Sequence, residues 1–190
     1  SILMNCYNAG SYINEAIESV INQTYKNWEL IVWDDASTDN SLEIVKNFKD
    51  KRINLFKNEK NLGLGQSRIK ASKKINGEYI SILDADDKFS TKKLEKQINY
   101  MIGNKDVGLL ATNFEIIDKK SNVLKKNIIS NLNKNFLDHL CYTNIFAASS
   151  IIYRKKIAEN LGWFSESFEY SQDFDFTLKF LKKSKIDFID

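Results

Sequence analysis

The sequence predicts an α/β domain with a mostly parallel central sheet flanked by helices. Three observations carry the prediction. Apolar runs of strand length alternate with segments of helical period through the first half of the chain. Two of those runs end directly on acidic residues, as happens where parallel strands deliver side chains to one edge of a sheet. The 190 residues are 43% hydrophobic and 28% charged, without internal repeats or a low-complexity linker, which suits a single domain with a sizeable core.

In chain order, SILMN is a short strand and NAGS a turn. Ile13, Ala16, Ile17, Val20 and Ile21 recur at helical spacing, with Ser11 as the expected N-cap. WELIVW is the second strand and ends at Asp34. The stretch from Ser37 to Asn40 is rich in capping residues, and Ile44, Val45 and Phe48 give the next helix its apolar face. INLFK is a third strand. NEKNLGLG reads as a loop because Gly63 and Gly65 interrupt any period, and a helix from Ser67 to Ile75 stops at Asn76-Gly77. YISIL is the fourth strand, and Leu94, Ile98, Met101 and Ile102 mark a helix ended by Gly103. Beyond it the pattern is less regular. VGLLATNFEIID and ASSIIYR read as strands around the polar loop KKSN, and Phe136 to Tyr142 and Ser171 to Lys183 as helices.

Composition excludes several classes of function. A net charge of +3, from 28 basic and 25 acidic residues, is too balanced to argue for nucleic-acid binding, and the short lysine clusters read as solvated helix faces and turns. No apolar run reaches the roughly 18–20 residues that cross a membrane. Cys6 and Cys141 fit neither a metal-ligand spacing nor a disulfide framework, and are expected to be reduced, buried thiols in a cytoplasmic protein. The chain opens on a strand without an initiator Met and closes on the strand-like IDFID, so it is expected to be a piece of a longer protein. A membrane-associated part could then lie outside it.

The chemistry collects at two strand ends. Asp34-Asp35 follows WELIVW, and Asp84, Asp86 and Asp87 follow YISIL. Capping and turn formation account for Asp39, but like charges gathered at one edge repel each other and need a counter-charge. Carboxylate oxygens are hard ligands that suit Mg²⁺ or Mn²⁺ and leave coordination positions for phosphate oxygens. A metal ion would supply the missing charge and let an anionic diphosphate approach an acidic rim.

The residues carry a family resemblance. The opening through WELIVWDDASTDNS, with Tyr7-Asn8, Gln23-Thr24-Tyr25 and Asp34-Asp35-Ala36-Ser37-Thr38-Asp39, resembles the start of family-2 glycosyltransferases, which have the GT-A fold. Asn61-Leu62-Gly63 and Arg68 follow in the family's order, GEYISILDADD matches its strand and Asp-X-Asp motif, and LGWFSESF and SQDFDFTLKF resemble its Glu-Asp-x-Asp region. Any one motif is weak; in order and well spaced over nearly the whole chain they are specific. The resemblance implies one Rossmann-like GT-A catalytic domain over 1–190, with a nucleotide-sugar-binding half at 1–103 and an acceptor-side half at 104–190.

It further implies an inverting transfer from a nucleoside-diphosphate sugar, most often a UDP-sugar in this family, to a saccharide or glycoconjugate hydroxyl. The setting would be cell-surface polysaccharide synthesis, in the cytoplasm or at the cytoplasmic face of a membrane. Asn5 and Asp35 would border the base and ribose, with Tyr7 and Ala85 beside them in the same motifs. Arg68 would lie near the base or diphosphate, unless it is a helix-surface arginine. Asp84 would face the ribose and Asp86 would ligate Mn²⁺ or Mg²⁺. Asp87 would either support the metal or cap the next segment. Asp173 matches the position that deprotonates the acceptor hydroxyl, in a partly enclosed pocket since burial strengthens a carboxylate as a base. Asp175 would cap or orient the helix. Gln172 stands where the family usually has Glu, and Ala36 where it has Gly, which leaves acceptor handling the less defined part.

Other residues and readings remain beside this one. His139 could be a ligand or base, or a partly buried helix histidine; Trp163 and Phe164 could form a platform for a sugar ring or belong to the core; and Trp28 and Trp33 read as core or rim. A receiver-type signalling module also gathers acids around Mg²⁺, but it leaves Asp84-Ala85-Asp86-Asp87, Asn61-Leu62-Gly63 and Asp173 without a role. A GT-A domain that binds a nucleotide sugar or a partner without catalysis is the third possibility.

Overall fold

The computed structural model describes residues 1–127, Asp138, Leu140, 145–165 and 171–190. The first half alternates as expected: β1 (Ile2–Cys6), α1 (Ile13–Ile21), β2 (Leu30–Asp34), α2 (Ser41–Asn47), β3 (Ile53–Lys57), α3 (Leu64–Ser72), β4 (Tyr79–Ile82) and α4 (Lys93–Gly103). There follow β5 (Val107–Thr112), β6 (Phe114–Ile117), β7 (Val123–Asn127), a 3₁₀ turn at Ala148–Ser150, β8 (Ile152–Arg154), α5 (Lys155–Asn160), α6 (Gln172–Leu181) and β9 (Lys185–Ile189).

Seven strands form one sheet in the order β3-β2-β1-β4-β8-β5-β9. β1 pairs in parallel with β2 and β4, β2 with β3, and β5 with β9, whereas β8 runs antiparallel to both β4 and β5. The sheet separates two cores by the alternation of its strands. Ile2, Met4 and Cys6 of β1 and Leu30 and Val32 of β2 meet Ile13, Ala16, Ile17 and Val20 of α1, with Val45 of α2 and Leu94 of α4. Leu3, Ile31 and Trp33 point the other way, toward Ala71 of α3, Ala158 of α5 and Phe176 and Phe180 of α6. Each such aliphatic side chain contributes about 1.5–3 kcal/mol when fully buried. Trp28 and Trp33 are therefore core residues. Cys6 is a buried free thiol.

Several elements differ from expectation. Ser11 does not cap α1: the cap residue is Tyr12, and the entry turn is closed by Tyr12 and Ile13 amides donating to the Ala9 carbonyl. α3 begins at Leu64, so Gly65 is inside the helix, and it ends at Ser72, short of Asn76-Gly77. Gly65 lets α6 approach closely, since a Cβ there would displace the side-chain amide of Gln172 on α6. Ile102 is exposed rather than on the packed face of α4. VGLLATNFEIID is broken at Asn113, and KKSN turns β6 into β7 as a separate hairpin, while ASSIIYR supplies β8 of the main sheet. The expected helix over Phe136 to Tyr142 falls almost wholly outside the described residues, as do His139, Cys141 and 166–170. Among the described residues no helix is long and apolar enough to cross a membrane.

Candidate active site

The carboxyl ends of β1, β2 and β4 form the rim. Strand pairing continues past their last residues, with Asp35 N–H donating to the Cys6 carbonyl at 2.9 Å, Asn58 N–H to Asp34 at 2.8 Å and Leu83 N–H to Leu3 at 2.9 Å. The side chains that follow are thus carried on ordered backbone. The loop after β1 is tied to the loop after β2, as Asn8 Oδ1 accepts from Thr38 N–H and Asp39 accepts from Gly10 N–H and from Ser41. Asp39 is a turn-forming residue, as expected. Ala36, where the family pattern has Gly, has φ 63°, in the left-handed region that Gly occupies without steric cost.

The Asp34-Asp35 pair does not project freely into the rim. Asp34 is fully buried and accepts from Ser37 N–H at 3.0 Å, with Cys6 Sγ 3.5 Å from its other oxygen. Asp35 is buried too. Its Oδ1 accepts from Asn58 Nδ2 at 2.7 Å and from Leu62 N–H, and its Oδ2 accepts from Gly63 N–H. Leu62 and Gly63 lead into α3, so Asp35 occupies the electropositive end of that helix. The expected gathering of acids from both strand ends is therefore narrower: Asp34 belongs to the turn, and Asp35 binds the Asn58–Gly63 loop. Asn5 sits at the end of β1, with a buried Nδ2 that has no hydrogen-bond partner among the described residues. Tyr7 stands just beyond it and is about half exposed.

After β4 the DADD segment forms a tight turn, with Asp87 N–H donating to the Asp84 carbonyl at 3.0 Å. Ala85 is buried in the core and Asp86 is exposed. Arg68 is not a surface arginine: it is buried, and its guanidinium reaches Asp84 Oδ1 at 3.1 Å and lies 5.4 Å from the Phe164 ring centroid. Burial raises the Asp84 carboxyl above the ordinary range; Arg68 opposes this, and the charges of Asp87, Asp86 and Asp173 add to it. Burial also raises Asp87, against a hydrogen bond from Ser149 and with the charge of Asp86.

Asp173, from the far end of the chain, is thus close enough for its charge to act on Asp84. It lies in the first turn of α6, half-buried, and its carbonyl accepts from the Thr177 hydroxyl at 2.8 Å. Asp175 pairs with Lys179 one helical turn on, at 2.7 Å. Gln172 is buried against Gly65, so it joins α6 to α3. Phe164 is a core residue whose ring packs at a tilt against Phe176, with centroids 4.6 Å apart, while Trp163 packs partly buried on the same cluster. Phe164 thereby links Arg68 to the helix that carries Asp173. Sequence reasoning missed Asn58 and above all Ser149, and it left Phe164 open between platform and core. The Ser149 hydroxyl donates to Asp87 Oδ2 at 2.6 Å and accepts from Asp84 N–H at 3.0 Å.

The residues fit a divalent ion and a phosphate ligand in their chemistry. Asp86 offers an exposed hard oxygen donor, although among the described residues no group of three or more His, Cys, Asp or Glu side chains is placed to hold a metal ion by itself. An ion held mainly by Asp86 would keep positions for phosphate oxygens. Asn5 Nδ2 and Arg68 Nε are buried donors without a hydrogen-bond partner among the described residues.

A family model described as Glycosyl transferase family 2 matches residues 1–162. The chain belongs to glycosyl transferase family 2. An uncharacterized glycosyltransferase of Methanocaldococcus jannaschii, MJ1057, is 39% identical over 201 residues, covering 100% of this chain and 67% of its own length. Escherichia coli WfgD, a UDP-Glc:alpha-D-GlcNAc-diphosphoundecaprenol beta-1,3-glucosyltransferase, is 44% identical over 125 residues, 66% of this chain and 49% of its own. The crystal structure of S. aureus TarS in complex with UDP-GlcNAc matches with a TM-score of 0.83 at 23% identity, over 99% of this chain and 55% of that one. This likeness speaks for the fold, which is GT-A. The chain spans from about half to two thirds of the length of these curated relatives. Within this glycosyl transferase family 2 chain, Asp173 lies beyond the stretch matched by the family model, whereas the alignment with MJ1057 covers it.

Proposed function

We propose that this domain transfers a sugar from a nucleoside-diphosphate sugar to an acceptor hydroxyl, with inversion at the anomeric carbon and a divalent ion, Mn²⁺ or Mg²⁺, held at Asp86. The observation that carries the reading is the meeting of Asp84, Asp86 and Asp87 from the end of β4 with Asp173 from α6, around the buried Arg68. That meeting supports reading the edge of the sheet as a donor site with its base. In the proposed arrangement Asn5, Tyr7 and Asp35 border the nucleoside, and Asp84, with Ala85 anchored beneath the turn, faces the ribose. Arg68 fixes Asp84 and contributes positive charge toward the diphosphate.

The bound ion would act as a Lewis acid toward the diphosphate oxygens. Asp173 takes the proton of the acceptor hydroxyl as its oxygen forms the new bond to the anomeric carbon. The bond to the diphosphate breaks on the opposite face, and the nucleoside diphosphate leaves with the electron pair. We take UDP as the nucleotide, a reading supported by the UDP-GlcNAc complex of TarS and by the UDP-Glc named for WfgD. The acceptor is proposed to be a saccharide or glycoconjugate of cell-surface polysaccharide synthesis, handled in the cytoplasm or at the cytoplasmic face of a membrane.

Calorimetric titration with UDP, GDP and CDP, each with and without Mn²⁺, tests the reading. One nucleotide should bind tightly only with the ion, and Asp86→Ala should abolish that metal-dependent binding. Absence of any metal-dependent nucleotide binding would sink the proposal.

A further inference from the structure

The acidic turn after β4 is held from the other half of the chain. Ser149 lies in the 3₁₀ turn that precedes β8 and is nearly buried. Its hydroxyl lies between the two ends of the DADD turn, accepting from Asp84 N–H at 3.0 Å and donating its one proton to Asp87 Oδ2 at 2.6 Å. The turn that presents Ser149 is itself anchored from below. Gln97 Nε2 donates to the Ser150 carbonyl at 2.9 Å and to Leu110 at 3.3 Å, and the Ser81 hydroxyl donates to the Ile151 carbonyl at 3.0 Å. The buried Lys93 completes that layer, donating to Ser81 Oγ at 3.0 Å and to Gln97 Oε1 at 2.8 Å. Ser150 Oγ closes the turn on the Ala147 carbonyl at 2.7 Å. A side chain whose own position is fixed in this way can fix another.

We infer that Ser149 is a positioning residue for the acidic turn, one that commits Asp87 to the fold and leaves Asp86 as the carboxylate presented to a divalent ion. The consequence is a division of labour within DADD. Asp84 is matched by Arg68 and Asp87 by Ser149, so Asp86 is the exposed carboxylate of the turn that neither contact engages. The inference rests on the proposed function, since it concerns ion and nucleotide binding at that same rim.

The experiment is titration of Mn²⁺ in the presence of saturating UDP, followed by calorimetry on wild type, Ser149→Ala, Asp87→Ala and the double variant, with melting temperatures of the ion-free proteins alongside. Ser150→Ala serves as comparator, because it loosens the same 3₁₀ turn without touching either carboxylate. Removing a hydrogen bond to a charged group predicts roughly tenfold weaker Mn²⁺ binding for Ser149→Ala. Ser150→Ala should lower the melting temperature with less than about a threefold change in Mn²⁺ affinity, and Ser149→Ala should cost much less in the Asp87→Ala background. Should Ser149→Ala not fold, Ser149→Cys replaces it, keeping the volume with a far weaker donor. Wild-type Mn²⁺ affinity in the Ser149 variant, an equal loss in Ser150→Ala, or full additivity with Asp87→Ala would overturn the inference and leave the proposed function standing. A wild-type protein that binds no nucleotide with any ion would overturn both.

Discussion

Replacing Arg68 by Met tests the electrostatics of the rim directly. The variant keeps most of the side-chain volume and removes the cation that lies 3.1 Å from Asp84. At an effective dielectric constant of about 20, unit charges at that distance attract by ~5 kcal/mol. That figure is an upper bound, because the Arg68 side chain is only 5% exposed but that of Asp84 is 39% exposed and solvent screens the pair. Between the roughly 0–1 kcal/mol of surface pairs and the 3–5 kcal/mol cost of breaking buried ones, a net loss of about 1–3 kcal/mol is expected at neutral pH. For a domain of this size that lowers the melting temperature by roughly 2–4 °C per kcal/mol.

The pH dependence gives the sharper signature. Asp84 holds its proton more tightly in the folded protein than in the unfolded chain, first through burial and then through Asp87, Asp86 and Asp173. A folded state that binds more protons loses stability as pH rises from the unfolded-state value through the raised one. Without Arg68 the Asp84 carboxyl moves up further, so the loss extends to higher pH and deepens. Urea unfolding at pH 7.5 and pH 4.5 should therefore show a large difference between Arg68→Met and wild type at the higher pH and a smaller one at the lower. An equal deficit at both, or no deficit at pH 7.5, would refute the view that Arg68 is the counter-charge of Asp84.

Three further outcomes are expected. Asp173→Asn should leave metal-dependent nucleotide binding within about twofold of wild type and reduce transfer by 10²–10⁴-fold, as measured by single-turnover release of UDP; full turnover would remove Asp173 as the base. Burial lowers the Lys93 amine to about 7, so the folded protein binds fewer protons than the unfolded chain above that pH. Wild-type stability should then rise between about pH 7 and the ordinary lysine range, and Lys93→Met should flatten that rise in urea midpoints across the interval. Ala36→Gly relieves a left-handed residue at φ 63° and should raise the melting temperature by an amount equivalent to about 0.5–1 kcal/mol, less the entropy of the added glycine.

The first half of the fold was legible because its signals are local. Each strand from β1 to β4 is an apolar run, each intervening helix shows its period within one window, and the acids stand at strand ends where the chain itself reports them. The second half depends on pairings that no window contains. β8 has three residues and is placed by inserting antiparallel between β4 and β5, and the hairpin β6–β7 splits a continuous apolar pattern at Asn113. The site divides in the same way. Asp84, Asp86 and Asp173 could be named from residue type and resemblance, since a carboxylate is informative wherever it lies. Arg68 was ambiguous because a helical arginine usually faces solvent, and its inward turn is decided by Asp84 and Phe164. Ser149 gave no signal at all: it is an ordinary serine before a strand, and its role appears only when the sheet brings it to Asp87. Asp35 shows the converse limit, since residue type alone does not reveal that this strand-end acid also holds the Leu62 and Gly63 amides.

The charge at the rim gives the proposed metal dependence a physical basis. Asp87, Asp86 and Asp173 lie close enough to raise Asp84, and the guanidinium of Arg68 contacts Asp84. The Ser149 hydroxyl stabilises Asp87 by a hydrogen bond but adds no charge. A nucleoside diphosphate brings two or more negative charges of its own, so it would meet a net repulsive field at this edge of the sheet. A divalent ion on Asp86 would offset most of that charge and give the diphosphate oxygens a local positive centre, an effect strongest where burial keeps water from screening it. The same reasoning predicts that raising salt cannot substitute for the ion, because monovalent cations screen exposed charges more than half-buried ones. UDP binding measured without divalent ions at 1 M NaCl should remain as weak as at 0.1 M; recovery of tight binding by salt alone would mean that diffuse charge, not a site at Asp86, governs access to the rim.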